Sequence, residues 1–177
     1  MRLPCFIALA CLSGCGINDN GMNRLSADVR DPGYSATNAE IIQTGADGAP
    51  RYRLQAARIE QNPVSLEIRI EDLRIETRGT ESTIWRVAAP RGVLSRDSRR
   101  IDLAGGVGLE GGTAETLEPL RLRADTLQYD LDAARVRTNG EVRLTMQGHE
   151  LAAKGLDANL RTRQVQLRID VQGRFSR

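Results

Sequence analysis

A glycine pattern is the first feature of this sequence that could carry chemistry. Gly106-x-Gly108-x-x-Gly111 matches the fingerprint with which many proteins hold the phosphates of a dinucleotide. That fingerprint requires a helix directly after the glycines, and no helical period follows Gly111. We therefore interpret the segment as a strand with a tight backbone, and we expect no nucleotide cofactor.

The titratable residues are typical of a protein without catalysis. His149 is the only histidine, so a histidine-based metal cluster or a Ser-His-Asp triad would lack partners. Its position beside Gly148 predicts a turn residue. The carboxylates are numerous, but they alternate with arginines as they do on solvated strand faces. The sequence therefore predicts no enzyme activity, no cofactor and no metal site.

Charge and composition exclude a further class of protein. The formal net charge is +2, and the basic residues are spread along the chain instead of forming a tract. We therefore expect no nucleic-acid partner. The 177 residues suit one domain, and because only 3% of them are aromatic, its core must be aliphatic.

The first fifteen residues have the pattern of an export signal. Met1-Arg2 is positively charged, an apolar run of about ten residues follows, and Ser13-Gly14 provides small residues before Cys15. The run is too short to span a bilayer, which needs roughly 20 apolar residues. Residues 12–15, Leu-Ser-Gly-Cys, resemble the lipobox of bacterial lipoproteins.

A lipobox implies cleavage after Gly14 and acylation of Cys15, by a diacylglyceryl group and an N-acyl chain such as palmitate. We expect a signal peptide over residues 1–14, a lipid-anchored polar tether over 15–37 and a periplasmic domain over 38–177. The alternative is that Cys15 is an ordinary small residue in a signal or a short anchor.

Beyond the tether, apolar residues alternate with polar or charged ones. Leu66, Ile68 and Ile70, for example, are interleaved with Glu and Arg. A period of two predicts β-strands with one apolar face each. The phase changes after Ile70, which predicts a bulge at Glu71-Asp72.

An internal repeat organises these strands. Segment 87–111 matches segment 122–146 without a gap at a shift of 35 residues, and weaker copies begin at Leu54 and Leu151. Each unit reads as a strand, a short polar turn and a return strand, which cannot bury its apolar face alone. Stacked units predict an all-β, twisted open β-jellyroll, a folded trough of antiparallel strands with an aliphatic interior.

Two functions fit such an array. A trough that its own side chains do not fill would accept acyl chains, because each buried methylene contributes about 0.8 kcal/mol. The alternative is a lipoprotein whose β-sandwich is closed and acts as a structural or adhesion module. An open array also ends in two unpaired strands, near residues 39–44 and 165–171, where another β protein could add a strand.

The order of these segments resembles the lipopolysaccharide export component C family, LptC, over about residues 36–177. Single strands of this kind are weakly specific, but their order is fairly specific. The segments that carry the resemblance are 48–56 (GAPRYRLQA), 85–89 (WRVAA), 101–107 (IDLAGGV), 122–127 (LRADTL) and 148–158 (GHELAAKGLDA).

The resemblance implies a non-enzymatic protein. Such a protein receives lipopolysaccharide from an inner-membrane ABC transporter at its N-terminal edge and passes it to the bridge protein LptA at its C-terminal edge. Gly155 matches a glycine of the family, where the missing Cβ allows close backbone approach. The expected edge residues are Ile41, Ile42, Val165, Leu167 and Ile169. Alternation and family together place on the trough side Leu54, Leu66, Ile68, Ile70, Trp85, Val87, Leu103, Val107, Leu122, Tyr129, Leu144, Leu156 and Leu167.

The N-terminus departs from the family pattern. Members usually carry one N-terminal transmembrane helix, whereas a lipobox-like signal stands in its place here. Gly16 follows Cys15, where an aspartate would retain an enterobacterial lipoprotein at the inner membrane. We nevertheless expect a periplasm-facing protein anchored to the inner membrane of a Gram-negative bacterium, in preference to the outer membrane.

Overall fold

The computed structural model describes residues 33–95, 98–113 and 119–174, in which all the regular elements are β-strands. The expected signal peptide, Cys15 and most of the tether fall outside these residues. Within the described ranges, no helix is long and apolar enough to cross a membrane. The strands are β1 Ser35–Thr44, β2 Pro50–Gln61, β3 Ile68–Arg78, β4 Ile84–Leu94, β5 Arg100–Gly112, β6 Leu120–Asp130, β7 Arg135–Met146, β8 His149–Asn159 and β9 Gln164–Arg174.

The nine strands form one antiparallel sheet in chain order, so each strand pairs with its neighbours in sequence. This arrangement confirms the predicted all-β class and the open sheet. β1 and β9 each pair on one side only, which leaves an unpaired edge at either end. β1 begins at Ser35, so its first residues belong to the segment predicted as tether.

The internal repeat corresponds to two successive hairpins, β4–β5 and β6–β7. Val87 lies opposite Leu109 in the first hairpin, and Leu122 lies opposite Leu144 in the second. Residues matched by the repeat therefore occupy equivalent places. Because directly opposite residues of an antiparallel pair share one face, each hairpin has an apolar inner side and a polar outer side.

Irregularities near the middle of the strands bend the sheet. The bulge predicted at Glu71-Asp72 is not present as an inserted residue, because β3 keeps one register across these residues with both β2 and β4. The predicted change of phase is present: Asp72 has a φ of 49°, and Ile70 and Leu73 on either side of it are both buried. On β5 the register shifts across Gly105 and Gly106, whose φ values are 94° and 91°. Bulges bend a strand and increase its twist, so a row of them folds the sheet over itself.

The fold line divides the strands between two leaves. The first leaf contains the C-terminal halves of β1, β3, β5, β7 and β9 and the N-terminal halves of β2, β4, β6 and β8. The second leaf comprises the other halves. The leaves meet where Thr80 N donates a hydrogen bond to the Arg161 carbonyl at 3.1 Å. The Tyr129 hydroxyl of the second leaf likewise neighbours Thr77 of the first.

Both leaves contribute to one core between them. Leu73 and Val87 of the first leaf are 1% exposed, and Leu103 and Leu156 of the second are 1% and 0% exposed. The outer faces carry cross-strand pairs of opposite charge, such as Arg86 with Glu76 at 3.2 Å. The side chains alternate along each strand as a half-buried sheet requires.

Candidate functional site

Most of the predicted trough residues come together on the inner side of the folded sheet. Ile68 and Leu167 are half-buried and pack against the core. Ten others have exposures of 4% or less: Leu54, Ile70, Trp85, Val87, Leu103, Val107, Leu122, Tyr129, Leu144 and Leu156.

Leu66 is the exception, and its assignment to the trough face of a strand was wrong. It precedes β3 and lies in a turn with a φ of 57°, where its N–H donates to the Asn62 carbonyl at 2.8 Å. The cause is a local turn in which Asn62 Oδ1 accepts the N–H groups of Val64 and Ser65 at 2.9 and 3.0 Å. An asparagine turn of this kind replaces the strand that alternation predicted.

The inner face also contains residues that the sequence analysis did not select. Ile101 and Val136 are both 0% exposed and flank Tyr129, which pairs with Ile101 on one side and with Val136 on the other. The internal repeat could have identified these two residues, because Ile101 and Val136 correspond to each other at its shift of 35 residues.

The interior side chains are closely packed, since those at its centre, such as Ile101, Val136 and Leu156, are 0% exposed. Two grooves in the described part of the chain, of about 1110 and 670 Å³, each draw their lining from one leaf only. Arg123 and Arg143 line the larger groove on the first leaf, and Gln128 and Arg137 line the smaller one on the second. These four side chains belong to the outer faces, and the larger groove is also lined by buried residues of the inner face such as Leu73, Val107 and Leu122.

Some polar atoms are enclosed in this interior. The Thr83 hydroxyl, the Trp85 indole N–H and the Tyr129 hydroxyl are buried with no hydrogen-bond partner among the described residues. Burial raises the pKa of the Tyr129 phenol to about 12, and the nearby Thr77 hydroxyl lowers it by less. The Thr77 hydroxyl itself donates to the Arg51 carbonyl at 2.9 Å. The Tyr129 phenol is therefore neutral at physiological pH.

The predicted edge residues lie on the two unpaired strands. On β1, Ile41 shares a face with buried Leu54, and Ile42 points outward, yet both are 46% exposed. On β9, Val165 and Ile169 are 36% and 57% exposed. Exposed apolar side chains along an unpaired strand are suited to strand addition.

The backbone at position 155 requires a glycine. Its φ is 83°, a conformation that other residues rarely adopt. A Cβ added there would lie 3.2 Å from Arg168 Cδ, because the Arg168 side chain covers this glycine. The missing Cβ thus accommodates a side chain from β9, in line with the close approach expected at this position.

The fold and its inner face define a class of protein. They describe an open β-jellyroll with an aliphatic interior and two edge strands. In the described ranges, no three His, Cys, Asp or Glu side chains gather where they could hold a metal ion.

Comparisons with known proteins define the class further. The profile of the family described as lipopolysaccharide-assembly, LptC-related, matches residues 5–176, and the chain belongs to that family. Proteins of this kind are non-enzymatic periplasmic components of lipopolysaccharide transport. No protein of curated function matches the sequence.

A solved structure shares the fold. It is LptH of Pseudomonas aeruginosa, the LptA homologous periplasmic component of the conserved lipopolysaccharide transport device. The two chains superpose with a TM-score of 0.54 at 15% identity, over 71% of this chain and 95% of LptH. The predicted open β-jellyroll is thereby confirmed.

Proposed function

We propose that this protein carries lipopolysaccharide through its apolar interior, from an inner-membrane ABC transporter at the β1 edge to a periplasmic bridge protein at the β9 edge. One observation carries the proposal: a single open sheet joins two unpaired edge strands to one continuous aliphatic core. A relay needs an acceptor edge, a donor edge and an apolar path between them, and this sheet combines the three.

The packed interior implies how acyl chains would bind. Since the interior side chains are closely packed, the leaves must part for a chain to enter. Parting is easiest at the edges, where Ile41, which lies opposite buried Leu54, and Val171 are 46% and 53% exposed. Each methylene of an acyl chain that becomes buried between the leaves contributes about 0.8 kcal/mol. A bound acyl chain can therefore compensate for the side-chain contacts that the leaves lose when they separate.

The edges can be tested separately. We would replace Ile42 or Ile169 by aspartate, since both side chains are exposed and a charge on an edge opposes strand addition. After purification from detergent-solubilised membranes, Ile42→Asp should lose the transporter and keep the bridge protein, and Ile169→Asp should do the reverse. Recovery of both partners with each variant would contradict the assignment of the edges.

The membrane anchor is a separate part of the proposal. Cys15 follows a lipobox-like segment, and its acylation would hold the domain at the inner membrane without a transmembrane helix. Labelled palmitate should enter the wild-type protein and not Cys15→Ala. Equal labelling of both proteins would contradict acylation at this residue.

A further inference from the structure

Three arginines surround one carboxylate on the outer face of the second leaf. Arg135 binds Asp157 through two nitrogens, at 2.6 and 2.9 Å. Arg137 Nε donates to Asp157 Oδ2 at 3.0 Å, and Arg168 Nη2 lies 3.7 Å from the same oxygen. The Asp157 side chain is 12% exposed, whereas the arginines are 42 to 46% exposed.

This arginine cluster (Arg135, Arg137, Arg168) holds more positive charge and more donors than Asp157 can satisfy. Three guanidinium groups against one carboxylate leave a surplus of two positive charges. A guanidinium carries five N–H donors, and a carboxylate offers about four acceptor sites. Arg137 makes its hydrogen bond to Asp157 through Nε, and no residue in the described ranges binds its two terminal nitrogens, which can therefore donate to a further acceptor.

Two features hold the cluster in place. Arg168 lies across Gly155, whose lack of a side chain leaves it room, and its Nη1 donates to Asn139 Oδ1 at 3.4 Å. Asp157 fixes Arg135 and Arg137 from the neighbouring strand. The glycine that the sequence analysis singled out therefore positions an arginine.

The cluster borders the smaller groove. Arg137 and Arg168 both line this space of about 670 Å³, together with Gln128 and Asn139. Among the described lining residues, Asp102 alone carries a carboxylate; it accepts a hydrogen bond from Gln128 Nε2 at 3.0 Å. Asp102 is two strands away from Arg137, and Gln128, which binds Asp102, lies between them in the register.

We propose that this groove binds a phosphate monoester between Arg137 and Arg168. The planar fork of arginine matches phosphate with paired charge-assisted hydrogen bonds, and amide side chains nearby suit an attached polar group such as a sugar. The phosphate belongs either to a free sugar phosphate or to the phosphorylated head group of a glycolipid. The lipid source rests on the proposed transport function; the anion site does not.

Magnetic resonance of the arginine Nε–H groups tests the site directly. Titration of the isotope-labelled domain with a hexose monophosphate should shift the Arg137 and Arg168 signals and reach saturation, whereas sodium chloride at matched ionic strength should not. Arg137→Gln and Arg168→Gln should each weaken binding about tenfold. Arg86→Gln, which removes an exposed arginine from the first leaf, is the matched control and should bind normally.

Shifts that do not saturate, or unchanged affinity in both cluster variants, would overturn the site. Glycolipid with and without its phosphates distinguishes the sources. Removal of the phosphates should weaken binding to the wild type more than to Arg137→Gln; an equal loss in both would overturn the lipid source. Failure of the proposed transport function would give a different result, namely that lipopolysaccharide makes no contact with Val87 inside the core.

Discussion

Trp85 lies against Gly111 across the β4–β5 ladder, so closely that a Cβ added at Gly111 would fall 2.1 Å from Trp85 Cζ3. The last glycine of the apparent dinucleotide fingerprint is therefore a packing residue. Its role is to admit the single tryptophan of the chain into the interior.

The first prediction concerns this contact. Gly111→Ala should lower the free energy of unfolding by about 2 kcal/mol, because the buried indole must move to admit the methyl group. Gly108→Ala on the same strand is the control: a Cβ there meets nothing within 4 Å, and stability should stay equal or rise by about 0.5 kcal/mol. Urea denaturation measures both, and equal destabilisation would contradict the packing.

The second prediction concerns the enclosed hydroxyl of Tyr129. Since it is buried with no partner in the described part of the chain, Tyr129→Phe should leave the stability equal or raise it by about 1 kcal/mol. Tyr52→Phe should instead lower stability by about 1 kcal/mol, because the Tyr52 hydroxyl donates to Gln43 Oε1 at 3.2 Å. A larger loss with Tyr129→Phe than with Tyr52→Phe would show that the Tyr129 hydroxyl is satisfied.

The third prediction concerns acid stability. Hydrogen bonding and charge from Arg135 hold the pKa of Asp157 below its ordinary value of 3.8. A lowered carboxyl pKa contributes stability that is present above pH 3.8 and is lost as the pH falls through the folded value. The free energy of unfolding of the wild type should therefore fall more steeply than that of Asp157→Asn below about pH 4. Parallel pH profiles would contradict the coupling between Asp157 and the arginines.

The sequence predicted features that depend on local pattern. Alternation identified the inner face of the strands, and the phase change after Ile70 corresponds to the positive φ of Asp72, although no residue is inserted there as a bulge would require. Alternation failed at Leu66, because the side chain of Asn62 forms a turn that no period of two can represent.

Contacts between residues on different strands could not be predicted from the sequence. The contact of Trp85 with Gly111 and the gathering of arginines around Asp157 depend on strand register, which a period of two leaves undetermined. The packed interior also depends on how the two leaves close, which alternation alone left open.

The most direct test of the account is photo-crosslinking from inside and outside the sheet. Val87 and Leu144 are 1% and 4% exposed in the interior, and their chain neighbours Arg86 and Arg143 lie on the outer face. With a photo-reactive residue at each position in cells, lipopolysaccharide should crosslink at Val87 and Leu144 and not at Arg86 or Arg143. Crosslinks confined to the two arginine positions, or none at the interior positions of a folded protein, would contradict transport through the core.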